Sequence, residues 1–191
     1  GPKRAALVAE IYRRSGYDAV LFGASDYAHG IVPLQRFVRR TGATPLGANV
    51  RIAGDTPAWS QGAVLRCGDV NVALLGLVAP EAASAEVKID DPVATAERRL
   101  PHLRQTADVV IVVANLPRET LETVLARTDA VDLVVRSGHA RTIRKRVEAV
   151  GGVPTASLPA GGRHGGIVHW VIEKRGEPFA DHSSRAALEA K

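Results

Sequence analysis

Apolar positions along this chain recur in two rhythms, one of three to four residues and one of short unbroken runs. Residues 4–15 (RAALVAEIYRRS) set Leu7, Val8 and Ile11 at helical spacing, and Gly16 follows as a stop. Residues 18–22 (DAVLF) read as a buried strand ending at Gly23, and 24–30 (ASDYAHG) as a loop. Ile31, Leu34 and Val38 put one apolar face on a helix over 31–41; Gly42 ends it, and Pro33 fits only in its first turn. A short strand is expected over 45–50. The runs 63–67 and 70–78 flank Gly68-Asp69, a strong hairpin signal. After a polar connection over 79–91, Pro92 opens a helix to about residue 105, with Val93, Ala96 and Leu100 on one face. Residues 108–113 (DVVIVV) are β-branched and continuous, the pattern of a central strand covered on both sides. A helix over 118–127 and a buried strand over 131–135 follow. The last third turns to β, with runs at 146–150, 153–158 and 167–173. The last two are separated by the Gly-rich stretch 160–166 (AGGRHGG).

Strand and helix alternate from residue 4 to 135, which predicts an α/β fold with parallel central strands. The hairpin and the β-rich final third break a purely doubly wound pattern. The expected architecture is therefore α/β with mixed β-sheets, a two-sheet sandwich layered with helices. One domain is expected over 3–176, and 177–191 as a polar tail or docking helix.

Composition narrows the function classes. The chain has 191 residues, about one domain, with 46% apolar and 24% charged residues. Cys67 is the single cysteine, which excludes an intramolecular disulfide and any CxxC zinc or redox motif. No apolar run approaches about 18 residues, so no membrane-spanning helix is expected, and no signal-peptide pattern opens the chain. The absence of Met and the opening Gly1-Pro2 read as a cut end, hence as a piece of a longer protein. The formal net charge is +5, and of the 25 basic residues only Lys3, Lys88, Lys145, Lys174 and Lys191 are lysines. Arginine's planar fork suits phosphate recognition; charges spread over solvated faces are the plainer account. Aromatics make only 4%, too few for a base-stacking platform, so nucleic acid is not an expected partner.

Residues 16–30 (GYDAVLFGASDYAHG) resemble a segment of the 5'-nucleotidase branch of the calcineurin-like metallophosphoesterases, G-Y-D-A-V-x-x-G-N-H-E-F-D-Y-G. The resemblance continues in order. Residues 44–50 (TPLGANV) resemble the next strand, and 68–81 the hairpin after it. Residues 89–93 (IDDPV) resemble the x-D-P-V helix start, 108–116 the strand ending in Ser-His-Leu, and 132–142 the segment D-x-x-x-G-G-H-S-H-T. The Gly-rich 160–166 resembles the late loop over the site. It covers about residues 4–175 and implies a metallophosphoesterase-like fold, with a setting in the periplasm or at the cell surface.

The chemistry that the resemblance implies needs two divalent metals about 3.5–4 Å apart, clamping a phosphate and activating a water. Carboxylates, Asn and His supply hard or borderline donors for such ions. Carried over residue by residue, the family's Asn ligand falls on Ala24. The His that stabilises the transition state falls on Ser25, the Glu on Asp26, and the Asp orienting that His on Ala28. The His of Ser-His-Leu falls on Asn115. Placing 138–142 under G-H-S-H-T keeps His139 and replaces the other His by Arg141, with one extra residue at Arg136-Ser137. The family's Asp-x-His strand and Gly-Asp-x motif would precede the first helix, where this chain begins. Arg does not deprotonate, so Arg141 would set a fixed cation where a metal should sit.

The candidate residual anion or metal site is thus Asp26, His29, Asn115, His139, Arg141 and His164, with no catalytic and no metal ligand set assigned. Each has a plainer account: an Asx-type turn at Asp26, a solvated His29, a loop-bracing bond at His139, a β-turn around His164. Arg136, Arg141, Arg144, Lys145 and Arg146 form a basic cluster, either a phosphate or polyanion site or a solvated face. Cys67 reads as a small buried residue, and Trp59 as an edge cover or an interface anchor. The preferred expectation is a catalytically inactive domain, without cofactor, that serves as a binding or structural module of a larger protein. A protein partner or a second copy is expected beside it. Two alternatives stand: an active metal-dependent phosphoesterase whose missing strand lies outside this chain, and a phosphate- or nucleotide-binding module.

Overall fold

The structure is a computed structural model, and it describes residues 2–52, 56–138, 147–157 and 166–168. In chain order the elements begin with helix α1 (Pro2–Arg14), strand β1 (Ala19–Leu21), the one-turn helix α2 (Ala24–Tyr27) and helix α3 (Ile31–Thr41). Strands β2 (Thr44–Leu46), β3 (Val50–Ile52), β4 (Thr56–Pro57), β5 (Ala63–Cys67) and β6 (Val70–Val78) follow. A 3-10 turn (Pro80–Ala82) leads to β7 (Val87–Ile89), helix α4 (Pro92–Thr106), β8 (Val109–Asn115) and helix α5 (Arg118–Ala126). The last described elements are β9 (Leu133–Arg136), β10 (Glu148–Val150) and β11 (Val153–Ser157). The Gly-rich stretch apart from Gly166, nearly all of the run at 167–173 and the expected tail lie outside the described residues, as does the expected boundary at 176.

Six strands form the main sheet in the order β10-β11-β9-β8-β6-β5. β6, β8, β9 and β11 run parallel, while β5 and β10 are joined to it by antiparallel hairpins. β1 and β2 pair in parallel, and β4-β3-β7 make a three-stranded antiparallel sheet. The sheet is mixed because its central strands are linked by helical crossovers and its outer ones by tight turns.

Alternation along β6 divides the interior in two. Leu75 and Leu77 face the larger core, which also holds Val110, Val112 and Val134 under α4 and α5. Val78 faces the second core with Phe22, Tyr27, Val50 and Trp59. Two layers of strands therefore pack face to face, as the sequence pattern predicts, and close approach at Gly76 allows it. A Cβ there would lie 2.5 Å from the Leu46 Cβ and 3.0 Å from the Gly47 amide nitrogen.

Some local expectations shift. Residues 24–30 begin with a helical turn, because the Asp26 carboxylate accepts from the Gly23 amide at 2.8 Å and closes it. The strand expected over 45–50 is two strands. Between them Asn49, fully buried, donates through Nδ2 to the carbonyls of Val78 and Asp90, and its Oδ1 accepts from the Val78 amide. Turning the chain there lets β3 join β7, a strand inside the segment read as a polar connection. On α1, Leu7 and Ile11 are exposed and Ala9 is buried. Tyr12 stacks on Tyr17 and meets Phe37 edge-on, so α3 fixes which side of α1 turns inward. Cys67 ends an edge strand and is exposed, and Trp59 is buried. No helix among the described residues is long and apolar enough to cross a membrane.

Candidate functional site

In open α/β sheets, ligands sit beyond the carboxyl ends of parallel strands. Here the ends of β1, β6, β8 and β9 meet around one residue, Asn115, the last of β8. It is 9% exposed. Its backbone carbonyl accepts from Ala79, just past β6, at 2.9 Å. Its side-chain Nδ2 donates to the Ser137 carbonyl, just past β9, at 3.2 Å. Two glycines press on the carboxamide. A Cβ on Gly23 would lie 3.0 Å from Nδ2 and 3.1 Å from Oδ1, and one on Gly138 would collide with Nδ2. Gly138 also has φ +81°, a conformation that side chains rarely adopt. The amide is therefore held in one orientation by backbone from both sides.

Gly23 leads into α2, where Ala24, Ser25 and Asp26 are exposed. Asp26 is bound to the Gly23 amide, so its carboxylate serves the turn. Tyr27 is buried, and its hydroxyl accepts from Trp59 Nε1 at 2.8 Å. Burial pushes the Tyr27 hydroxyl well above its ordinary range; the bond from Trp59 works against this and the nearby Asp26 charge adds to it. His29 follows the turn and is exposed. Two residues on, the Ile31 amide is bound by Glu86 at 3.0 Å.

The structure thus brings Asn115 against Gly23, the residue that Asp26 caps, and leaves His29 on the surface beyond. His139, Arg141 and His164 lie outside the described residues. The described donors do not fit a two-metal centre. Ala24 offers no donor atom, Asp26 is engaged by backbone, and Asn115 contributes one neutral carbonyl oxygen. Among the described residues no three His, Cys, Asp or Glu side chains gather in one place.

One residue at this end of the sheet was hidden in the sequence. Arg136 belongs to a basic cluster that reads as a single patch, yet it is only 9% exposed, and its Nε donates to the Leu116 carbonyl at 3.1 Å. A signal was present. Arg136 continues the run 133–135, and strand alternation puts it on the face of Val134.

No model of a known protein family matches this chain, and no curated protein sequence does. Solved structures do. A calcineurin-like phosphoesterase of Bacillus subtilis superimposes with a TM-score of 0.62 at 15% identity, over 80% of this chain and 56% of its own. A 5'-nucleotidase precursor of Thermus thermophilus gives 0.63 at 20% identity, over 72% of this chain and 30% of its own. A sulfate thiohydrolase of Thermus thermophilus gives 0.68 at 14% identity, over 78% of this chain and 29% of its own. The chain has the fold of the calcineurin-like phosphoesterases and 5'-nucleotidases, in agreement with the resemblance in its sequence. It spans well under two thirds of the length of these proteins.

Proposed function

We propose that this chain is a phosphoesterase-fold domain that binds without hydrolysing, as a module of a larger protein. The observation that carries the reading is the crest around Asn115. At the sheet end where the fold gathers its strands, the described positions offer Ala24, a neutral carboxamide and one carboxylate, Asp26, whose Oδ2 caps its own turn. A metal pair that lowers the pKa of a bound water needs several anionic or imidazole donors converging there. Among the described residues such donors do not converge, and what the crest offers there is shape and backbone polarity. The partner in this reading is another protein or a second copy of the chain, and the setting is outside the cytoplasm, which rests on the sequence resemblance.

The test is hydrolysis of nucleoside monophosphates and a generic phosphodiester, with manganese, zinc or calcium added. No turnover above a blank is expected. Turnover that persists through purification and disappears in His139→Ala would overturn the proposal.

A further inference from the structure

The main sheet ends on β5, and no described strand pairs with its outer edge. The phase of the hairpin sets which backbone groups look outward. Cys67 pairs with Val70 across the two-residue turn, Leu65 with Val72, and Ala63 with Leu74. Residues flanking such a turn exchange hydrogen bonds, and bonded pairs alternate along an antiparallel ladder. Val64 and Arg66 therefore direct their amides and carbonyls away from β6. Asn71, the neighbour of Arg66 across the ladder, shows the same phase. Its amide and carbonyl both turn the other way, to Asp108, at 2.8 and 2.9 Å. Among the described residues no group bonds the backbone of Val64 or Arg66, and the Val64 side chain is 48% exposed.

Sheets ordinarily protect such edges with short strands, proline or charge. The other described edge strands follow that rule. β1, β2, β7 and β10 have three residues each and β4 has two, with Pro45 in β2, Pro57 in β4, Lys88 in β7 and Glu148 in β10. β5 has five residues, no proline and one charge, Arg66, whose Nε is turned back onto the Gly68 carbonyl at 3.1 Å. The strand is also complementary to itself. Set antiparallel against a second copy about Leu65, Val64 faces the partner's Arg66, and Arg66 faces the partner's Val64. Every outward amide then meets an outward carbonyl. The two guanidinium groups lie opposite valines, so like charges are not opposed. Leu65 meets the partner's Leu65 on the axis, in the close position between bonded pairs. On its face of the sheet it adjoins Val72, which is half-buried, so the axis pair extends an apolar strip that already reaches this edge.

We propose that two copies of this chain join β5 to β5 in antiparallel, two-fold pairing, making one continuous sheet with six strands from each. The pairing rests on the reading of this domain as a binding module, and names a second copy as its partner and β5 as the surface. A two-fold contact of this kind is closed, so it stops at the dimer. Five residues of strand bury less than about 1,200 Å², the range of weak and reversible interfaces. Each copy carries a formal net charge of +5, so repulsion opposes the pairing and salt relieves it.

The experiment is sedimentation equilibrium of the whole chain from about 10 μM to about 1 mM, at low salt and at about 0.5 M salt. A monomer–dimer equilibrium is expected, shifted toward dimer by salt. Val64→Pro removes an amide that points outward and leaves the β5–β6 ladder its bonds. It should abolish the dimer and leave the far-UV spectrum unchanged. Leu65→Cys, in a Cys67→Ser background, should cross-link under oxidised glutathione, because the close pair sets its Cα atoms about 4.5 Å apart, within disulfide reach. Cys67 of the unsubstituted chain lies opposite the partner's Ala63 and should not cross-link. A monomer throughout the range would overturn the pairing. So would a dimer that persists in folded Val64→Pro, or one in which Leu65→Cys fails to cross-link. If Val64→Pro misfolds, the cross-link decides. A dimer that hydrolyses phosphoesters would overturn the proposed function and leave this pairing standing; a monomer without turnover would do the reverse.

Discussion

The Tyr27 hydroxyl shows how one side chain couples the candidate site to stability. It is held neutral by burial and accepts from Trp59 Nε1. An unfolded tyrosine loses its proton near pH 10. The folded value lies higher, so above about pH 10 the native state holds a proton that the unfolded state has released, and stability falls as pH rises. Tyr12, raised by burial as well, adds to the same slope. Tyr27→Phe should flatten part of this alkaline loss. It should also cost about 1 kcal/mol at neutral pH, because Trp59 loses its acceptor. Urea midpoints measured from neutral to alkaline pH check both; an unchanged alkaline slope would contradict the burial argument. Arg136 belongs to this scale too. Its sequence neighbours are basic, so it reads as one member of a surface patch. Its burial follows from strand alternation, which acts on each residue separately.

Among the elements, helices and long strands are legible because their periodicity is local. α3, α4, α5, β6 and β8 fall within a few residues of expectation, and Gly68, with φ +62°, makes the expected hairpin turn. At the start of α4, Asp91 caps the helix by accepting from the amides of Val93 and Ala94. Short pieces are less legible. β3 and β7 are three residues each, and both depend on Asn49 bonding a distant strand. Nothing within a few residues of them records that. The two strand layers meet at Gly76, where a methyl group would press on Leu46 and on the Gly47 backbone. Gly76→Ala should destabilise the domain by about 2–3 kcal/mol through overpacking. The far-UV spectrum should stay unchanged. A loss well under about 1 kcal/mol would mean that the layers separate easily, against a close-packed interior.

On the scale of the whole molecule, β6 binds the two cores into one unit. Its odd-numbered residues Leu75 and Leu77 lie in one core and Val78 in the other. Neither core can open without exposing that strand, so unfolding should be a single transition. Trp59 reports on the second core, once Trp170 is replaced by Phe, and far-UV circular dichroism reports on all elements. Their urea midpoints should coincide, and separated midpoints would show that the cores melt independently.

The sequence by itself determined the order and kind of the main elements, the mixed two-layer architecture, and the family whose fold the chain has. These follow from periodicities and motifs carried by neighbouring residues. Only the tertiary structure decided which side of α1 faces inward, that Cys67 is exposed and Trp59 buried, and that Asn115 is clasped between Gly23 and Gly138. It alone buried Arg136 and bonded its Nε to the Leu116 carbonyl. Each of these depends on which strands and helices come to lie side by side. That is set by contacts between residues far apart along the chain, and a local pattern does not encode them.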